Sequence, residues 1–310
     1  MEPAPVSRTR GLVTVLVLLG LPVALALAEG GSYYLVNRSN GTIVSSGHLR
    51  EYLLHVPTSY NPAKPSPLVI SMHGAAMWPA AQMDTSQWNR VADAEGLIVV
   101  YPSGTVGDGP RVWNVNRGPG LMTDVTFIAD LIDHLKARYA IDPARVYADG
   151  LSNGGGMAFV LSCQLSGRIA AVGMVAAAHL LDWSWCQDPQ PVPMIAFHGT
   201  ADPVTPYDGG LTWVAPRSFP AIPAWTANWA RRNRCDPQPT ESAVADDVTR
   251  LAYRDCAAGA DVALYSIQGG GHTWPGGGPL PEWFVGTTTR SIDATALMWA
   301  FFEQHPLAQR

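Results

Sequence analysis

Residues 145–156 read RVYADGLSNGGG, and this stretch decides the fold. A strand-like apolar run comes first, and a helical pattern begins at Gly154. The letters GLSNG at residues 150–154 lie between them and match the pattern G-x-S-x-G. A nucleophile on so sharp a turn needs small neighbours, because the backbone is strained and the helix must start close against the sheet. The context therefore predicts that Ser152 is a nucleophile, although serine is also a common residue at the start of a helix.

A serine hydroxyl is a weak nucleophile near neutral pH, so this hypothesis requires a histidine base and an acid that orients it. Asp202 follows a predicted strand that ends at Phe197, and His272 follows one that ends near Ile267. The chain order Ser, Asp, His is that of α/β-hydrolases, whose acid and base lie on loops after late strands. We therefore predict Ser152, Asp202 and His272 as catalytic residues. An aspartate before a proline is also common in turns, so Asp202 taken alone is ambiguous.

The same chemistry requires backbone N–H groups that stabilise an oxyanion, one after the nucleophile and one from an early loop. Asn153 supplies the first oxyanion-hole donor. The second is predicted to be the N–H of Ala75, with Ala76 as a substitute, because HGAA at residues 73–76 directly follows an apolar strand. The histidine of this stretch and His198 each precede a glycine at a strand end, which favours structural roles for both.

Apolar runs and helical patterns alternate along the chain, which predicts an α/β protein with a mostly parallel central sheet and helices on both faces. The predicted strands are residues 49–56, 67–72, 97–101, 145–149, 169–176, 192–197, 249–253 and 262–267. The predicted helices are residues 83–95, a helix that opens at 123–124, and residues 154–165, 224–234 and 291–302. Proline and glycine crowd the segment after Asp202, which is predicted to be a covering loop. With the order of the catalytic residues, this pattern predicts the α/β-hydrolase fold.

The composition is that of a globular protein, with 47% hydrophobic and 15% charged residues. The formal charge of −5 is spread along the chain, and no Lys/Arg cluster offers the footprint that a nucleic-acid binder needs, which argues against nucleic acid as a partner. No low-complexity linker interrupts the alternation of strands and helices. We therefore predict that residues 29–310 form a single α/β-hydrolase catalytic domain.

Residues 1–28 have the layout of a signal peptide. Arg8 and Arg10 precede an apolar run at residues 11–27, which ends in small residues before Glu29. We expect cleavage of this segment and secretion of the mature chain, extracellular or periplasmic, with no stable membrane anchor. The alternative is an uncleaved anchor, because the run is close to the minimum length of a spanning helix.

Secretion would place the four cysteines in an oxidising compartment, where they can form disulfides. They are Cys163, Cys186, Cys235 and Cys256. Four cysteines allow three pairings, and the sequence alone does not choose among them. We expect neighbours to pair, Cys163 with Cys186 and Cys235 with Cys256, because the second bridge would close a polar surface loop. A metal site is disfavoured because no CxxC pair or ligand-spaced histidine is present. No metal or organic cofactor is expected.

Tryptophans are frequent in the Pro- and Gly-rich loops, where they could line an apolar cleft for an acyl or aromatic group. The candidates are Trp113, Trp183, Trp185, Trp213, Trp274 and Trp283. Trp113 and Trp274 are the predicted substrate-binding residues, the latter because it lies two residues after His272. The alternative for each tryptophan is a partly buried anchor of its loop.

With these residues identified, the sequence resembles the esterase family that includes polyhydroxybutyrate depolymerases, feruloyl esterases and acetylxylan esterases. The matching stretches are HG at 73–74, VVYP at 99–102 with Gly104, GLSNGG at 150–155, HGTAD at 198–202 and GHTWPG at 271–276. They cover nearly all of the chain after the signal segment. The resemblance implies Ser152, Asp202 and His272 as the triad and secreted ester cleavage as the activity.

The resemblance also shapes the expected substrate. Many members of the family carry Cys or Gly where this chain has Ala75-Ala76. No further substrate-binding module follows the catalytic region, which favours small or oligomeric esters over crystalline polymer granules. We expect a polyhydroxybutyrate depolymerase-like esterase, with a feruloyl or acetylxylan esterase acting on plant cell-wall esters as the alternative. A hypothesis of another class is a secreted, non-catalytic binding protein on the same fold.

Overall fold

The computed structural model describes residues 38–105, 111–116, 118–186, 190–212 and 215–307. The predicted signal peptide, residues 1–28, lies outside these ranges. Ser39–Arg310 pack as one compact unit. No helix within the described ranges is both long and apolar enough to cross a lipid bilayer.

Strands and helices alternate along the described chain. The strands are β1 (Gly41–Ser45), β2 (His48–His55), β3 (Ser66–Met72), β4 (Ile98–Pro102), β5 (Ile141–Leu151), β6 (Val172–Val175), β7 (Met194–Gly199), β8 (Gly210–Thr212), β9 (Ala215–Phe219), β10 (Thr240–Ala245), β11 (Val248–Tyr253) and β12 (Val262–Ile267). The helices are α1 (Pro79–Ser86), α2 (Trp88–Glu95), α3 (Pro119–Lys136), α4 (Asn153–Gln164), α5 (Ile222–Arg232), α6 (Glu282–Val285) and α7 (Ala294–Phe302).

One large sheet organises the described residues, in the strand order β1-β2-β4-β3-β5-β6-β7-β12-β11-β10. The six strands from β4 to β12 in this order are parallel to one another. The pairs β1–β2, β2–β4, β12–β11 and β11–β10 are antiparallel. The carboxyl ends of the parallel strands therefore lie along one edge, and the loops after β5, β7 and β12 leave the sheet there. The predicted, mostly parallel sheet is confirmed.

The side chains of the central strands alternate between two apolar cores, because successive residues of a strand point to opposite faces. In β3, Leu68 and Ile70 belong to the core that also contains residues of α3, α4 and α5, whereas Val69 belongs to the core with residues of α2 and α7. Both faces of the sheet are therefore covered by helices, as predicted. This burial on both faces explains why the central strands are continuous apolar runs.

Several element boundaries differ from the sequence-based prediction, among them the following three. The helix predicted at residues 83–95 is two helices, α1 and α2, because Gln87 between them has a left-handed backbone with φ 59°. Helix α3 begins at Pro119 instead of residues 123–124, since a proline at the first helical position loses no hydrogen bond. The covering loop predicted after Asp202 contains the hairpin β8–β9, which forms a separate sheet.

The expected disulfide pairing is confirmed. Cys163 in α4 is bonded to Cys186, and Cys235 is bonded to Cys256. The first bridge anchors the chain that follows β6 to α4, and the second joins the chain after α5 to the chain after β11. In the chain-entropy model, a disulfide that closes a loop of this length stabilises the folded protein by roughly 3 kcal/mol.

Asp149 is a fully buried carboxylic acid in β5. Its side chain accepts a hydrogen bond of 2.7 Å from the Ser71 hydroxyl, and Gln82 Nε2 donates to that hydroxyl at 2.9 Å. Removal from water raises the pKa of Asp149 to about 8, and the hydrogen bond from Ser71 opposes this only in part. Asp149 therefore holds a proton in the folded protein at neutral pH.

This proton should make the free energy of unfolding fall as pH rises. Between the ordinary pKa of 3.8 and the folded pKa of about 8, folded Asp149 holds a proton that the unfolded chain releases. The resulting slope is at most about 1.4 kcal/mol per pH unit, and Asp149→Asn should lack it. Urea unfolding of both proteins from about pH 5 to pH 8 measures the difference. Equal slopes would show that Asp149 is ionised in the folded chain.

Candidate active site

Ser152 lies on the tight turn between β5 and α4. Its backbone has φ 54° and ψ −116°, a conformation that residues other than glycine rarely adopt. Its N–H donates to the Val175 carbonyl at 2.8 Å, which ties the turn to β6. The Ser152 side chain is partly exposed. This strained turn is the geometry that the pattern G-x-S-x-G predicts for a nucleophile.

The helix after Ser152 approaches the sheet so closely that side chains are excluded. A Cβ on Gly154 would lie 2.1 Å from the Met72 carbonyl oxygen, and one on Gly150 would lie 2.3 Å from the Gly154 carbonyl carbon. Both positions therefore require glycine for steric reasons. This contact explains why the residues around Ser152 are small.

The loops that carry Asp202 and His272 are bound to each other beyond the parallel strands β7 and β12. The Ala201 N–H donates to the Gly270 carbonyl at 2.9 Å. A Cβ on Gly199 would lie 2.1 Å from the same carbonyl oxygen, so only glycine fits at this position. The contact brings the predicted acid and base together although they are far apart in the sequence.

Asp202 and His272 meet in a buried hydrogen bond, with His272 Nδ1 2.8 Å from Asp202 Oδ2. Asp202 Oδ1 accepts the N–H groups of Val204 and Thr205, each at 2.8 Å. Burial raises the pKa of Asp202, but hydrogen bonds from His198 and His272, and the attraction of both imidazoles, outweigh it and hold the pKa well below its usual range. An ionised Asp202 only accepts, so Nδ1 of His272 carries the proton and Nε2 is the nitrogen available as a base.

His198 is a second imidazole beside Asp202, a pairing that the sequence analysis missed. Its Nε2 lies 2.8 Å from the Thr205 carbonyl oxygen and 3.3 Å from Asp202 Oδ2. Because a carbonyl oxygen only accepts, this Nε2 carries a proton, which also faces the carboxylate. The structural role expected for His198 thus includes stabilising the charge of Asp202. The four-residue spacing within HGTAD is the signal that could have predicted it.

The chain around α6 holds the His272 loop through its backbone. The Val285 carbonyl accepts the His272 N–H at 2.6 Å, and the Thr287 carbonyl accepts the Gly271 N–H at 2.9 Å. Trp283 of α6 is 88% exposed. Val285 has no predicted role, because a residue that acts through its backbone carbonyl group leaves no signal in its residue type.

The early loop lies next to the nucleophile, as the predicted oxyanion hole requires. A Cβ on Gly74 would be 3.7 Å from the Ser152 Cβ. Ala75 is exposed, whereas the Ala76 N–H already donates to the Arg111 carbonyl at 2.8 Å. Ala75 is therefore the better donor candidate in this loop. Asn153 is the first residue of α4, where N–H groups have no partner within the helix.

His73 belongs to the scaffold of this loop. Its Nδ1 donates to the Gly74 carbonyl at 2.7 Å, and its Nε2 accepts the Gly104 N–H at 2.9 Å. Burial lowers the pKa of His73 to about 4, so the ring is neutral near pH 7. With both nitrogens engaged, His73 has the structural role that the sequence predicted.

The predicted substrate-binding tryptophans need correction, because Trp113 and Trp274 are only 2% and 1% exposed. The Trp113 indole N–H donates to the His73 carbonyl at 3.0 Å, and the Trp274 indole N–H donates to the Thr295 hydroxyl at 2.9 Å. Both side chains therefore belong to the scaffold. The remaining candidates are half-buried (Trp183, Trp185), exposed (Trp283) or outside the described residues (Trp213). The position of Trp274 two residues after His272 was therefore not enough to distinguish a loop anchor from a substrate contact.

The fold and the site define the class of protein. The acetyl xylan esterase from Aspergillus awamori matches this structure with a TM-score of 0.54, over 72% of this chain and 89% of that one, at 16% sequence identity. This similarity shows the α/β-hydrolase fold, as predicted.

The chain belongs to the family described as Esterase PHB depolymerase, whose model matches residues 51–250. The resemblance inferred from the motifs is thus confirmed. Feruloyl esterase B of Piromyces equi is 33% identical over 230 residues, which are 72% of this chain and 42% of that protein. Poly(3-hydroxyalkanoate) depolymerase C of Paucimonas lemoignei is 32% identical over 167 residues, which are 51% of this chain and 38% of that protein. The chain thus spans less than half the length of these two relatives.

Two glycines near the start of α4, Gly154 and Gly156, allow a matched test of the close helix contact. Gly154→Ala should destabilise the protein by about 2 to 4 kcal/mol, because the added methyl group collides with the Met72 carbonyl. Gly156 lies inside α4, and its Cβ would make an ordinary contact of 3.5 Å with the Val115 side chain. Gly156→Ala should therefore stabilise the protein by up to about 1 kcal/mol. Urea unfolding measures both changes. Equal effects of the two substitutions would contradict the described turn.

Replacing Asp202 by Asn tests the orientation of His272. The amide would donate to Nδ1 and leave the proton on Nε2, so turnover of p-nitrophenyl acetate should fall about a thousandfold or more. Asp208→Asn, an exposed substitution in the same loop region, is the matched control and should not change kcat. Circular dichroism would check that both variants are folded. A near-normal kcat for folded Asp202→Asn would remove Asp202 from the site.

Proposed function

We propose that this chain is a serine esterase that hydrolyses carboxylic esters, with Ser152 as nucleophile, His272 as general base and Asp202 as the orienting acid. The observation that carries the proposal is the buried hydrogen bond of 2.8 Å between His272 and Asp202. It lies on loops that leave the same sheet edge as the strained Ser152 turn. An oriented imidazole and a serine on such a turn are the parts that nucleophilic acyl transfer needs.

Hydrolysis proceeds in two steps. Ser152 Oγ attacks the ester carbonyl carbon while His272 Nε2 accepts the hydroxyl proton, and the N–H groups of Ala75 and Asn153 stabilise the oxyanion. The imidazolium then gives its proton to the departing alcohol, which leaves an acyl group on Ser152. Water, deprotonated by His272, then attacks the acyl carbon. The bond from this carbon to Ser152 Oγ breaks, Oγ takes the proton back from His272, and the carboxylic acid is released. The mechanism uses no metal and no organic cofactor.

We rank feruloyl esters of plant cell walls first among the substrates. Support comes from the feruloyl esterase of Piromyces equi, which is similar over 72% of this chain, whereas the depolymerase of Paucimonas lemoignei is similar over 51%. Trp283, 88% exposed on the segment that holds His272, offers an aromatic face on which a feruloyl ring can stack. Polyhydroxyalkanoate oligomers are the second candidate, favoured by the family to which the chain belongs.

We further propose that residues 1–28 are a signal peptide removed on export and that residues 29–310 are the catalytic domain. The disulfides Cys163–Cys186 and Cys235–Cys256 support a location outside the cytoplasm, because disulfides persist in oxidising compartments. The partner is then a small or oligomeric ester in that compartment.

Comparison of kcat/KM on methyl ferulate, a soluble 3-hydroxybutyrate oligomer and an acetylated xylo-oligosaccharide tests the substrate class. Ser152→Ala serves as the blank for each ester. We expect Ser152-dependent hydrolysis with the highest kcat/KM on methyl ferulate. A higher value on the hydroxybutyrate oligomer would instead assign polyester breakdown, and a higher value on the acetylated oligosaccharide would assign deacetylation.

A fluorophosphonate probe separates an esterase from a non-catalytic binding protein. Ser152 should be labelled in the unmodified chain, and Ser152→Ala should remain unlabelled. A folded chain that resists the probe and hydrolyses none of the three esters would overturn the proposal and favour the binding protein.

A further inference from the structure

Residues 111–114 form a bridge between the two loops that carry the proposed oxyanion donors. On one side the bridge holds the early loop that contains Ala75. The Arg111 carbonyl accepts the Ala76 N–H at 2.8 Å, and the Trp113 indole N–H donates to the His73 carbonyl at 3.0 Å. Hydrogen bonds therefore fix the residues before and after Ala75.

On its other side the bridge is bound by Asn153, whose backbone N–H is the other proposed oxyanion donor. Asn153 Oδ1 accepts the Trp113 N–H at 2.6 Å, and Asn153 Nδ2 donates to the Trp113 carbonyl at 3.1 Å. Trp113 thus contacts the early loop through its indole and the start of α4 through its backbone. Among the described residues, no other residue of the bridge makes hydrogen bonds to both sides.

The bridge is itself anchored to a buried charge. Asp124 Oδ2 accepts the backbone N–H and the Nδ2 group of Asn114, each at 2.8 Å. Asp124 Oδ1 accepts hydrogen bonds from Arg50 at 2.9 Å and from the Thr105 hydroxyl at 2.8 Å. Asp124 is fully buried. These four hydrogen bonds to its carboxylate compensate its removal from water and keep it in one orientation. The position of the bridge is therefore rigid.

An oxyanion hole depends on such rigidity, because its donors act only when they lie within a narrow distance of the developing charge. Ala75 is exposed, so packing of its own side chain does not hold its loop. The early loop instead receives its position from hydrogen bonds to the bridge. The separation of the Ala75 and Asn153 N–H groups then follows from how Trp113 is held between them.

We propose that Trp113 is a positioning residue that sets the separation of the two oxyanion N–H groups. It acts through the His73 carbonyl and the Asn153 side chain and does not touch the substrate, in keeping with its burial. The inference rests on the proposed esterase function. Loss of its hydrogen bond should weaken transition-state binding and leave substrate binding unchanged.

Trp113→Phe tests this proposal, because phenylalanine retains a buried ring and removes the indole N–H. Trp229→Phe is the matched control, since Trp229 is fully buried in α5 and its indole N–H donates to the Val192 carbonyl at 2.9 Å. We expect kcat to fall about tenfold or more in Trp113→Phe with KM unchanged, and a boronic acid transition-state analogue to bind more weakly by a similar factor. Trp229→Phe should keep both values while losing similar stability.

Asn153→Ala provides a second variant if Trp113→Phe does not fold. It retains the backbone N–H donor and removes both side-chain bonds to Trp113, so kcat and analogue affinity should again fall together. Equal kcat in folded Trp113→Phe and Trp229→Phe, full kcat in Asn153→Ala, or a change confined to KM would overturn the inference alone. Absence of Ser152-dependent hydrolysis in the unmodified chain would instead overturn the proposed function together with it.

Discussion

The close contact between α4 and the sheet is the constraint on which the candidate site depends. Gly154 lies so near the Met72 carbonyl that a single added carbon would be 2.1 Å from its oxygen. This approach forces the chain through Ser152 in a strained conformation, with φ 54°. It also points the start of α4, with its unpaired N–H groups and positive dipole end, at the position of the nucleophile. The proposed nucleophile and one side of the proposed oxyanion hole therefore both depend on a single packing contact.

Buried carboxyl groups near this contact have opposite protonation states for a clear physical reason. Asp202 accepts two backbone N–H groups and faces two imidazoles, and these donors outweigh its burial and keep it ionised. Asp149 is buried more deeply and accepts a hydrogen bond from the Ser71 hydroxyl, which does not compensate the lost water, so it keeps its proton. The donors around a buried carboxyl group decide its charge. A charged Asp202 orients His272, whereas a neutral Asp149 fills the interior beneath the turn.

Residue types within short motifs were enough to predict the turn and the loops that form the candidate site. The GLSNG turn, the HGTAD loop and the histidine loop after a late strand each carry their chemistry locally, and the structure brings Asp202 and His272 together as expected. The central strands were predictable because burial on both faces demands continuous apolar runs. The prediction was wrong for Trp113 and Trp274, because a tryptophan in a glycine-rich loop suits a substrate cleft and a buried anchor equally well. The break at Gln87 was missed since its sequence carries no glycine or proline signal.

By itself, the sequence determined the alternation of helices with the central strands, the strained turn, the disulfide-compatible cysteines and the chemical types of the proposed catalytic residues. These properties depend on side-chain chemistry and on spacings within a few residues. Only the tertiary structure decided that His198 supports Asp202, that the Val285 carbonyl holds His272, and that Trp113 bridges the early loop and α4. Each of these contacts joins distant segments or uses a backbone carbonyl group. Such contacts exist only after folding has brought the segments together, so residue types alone do not predict them.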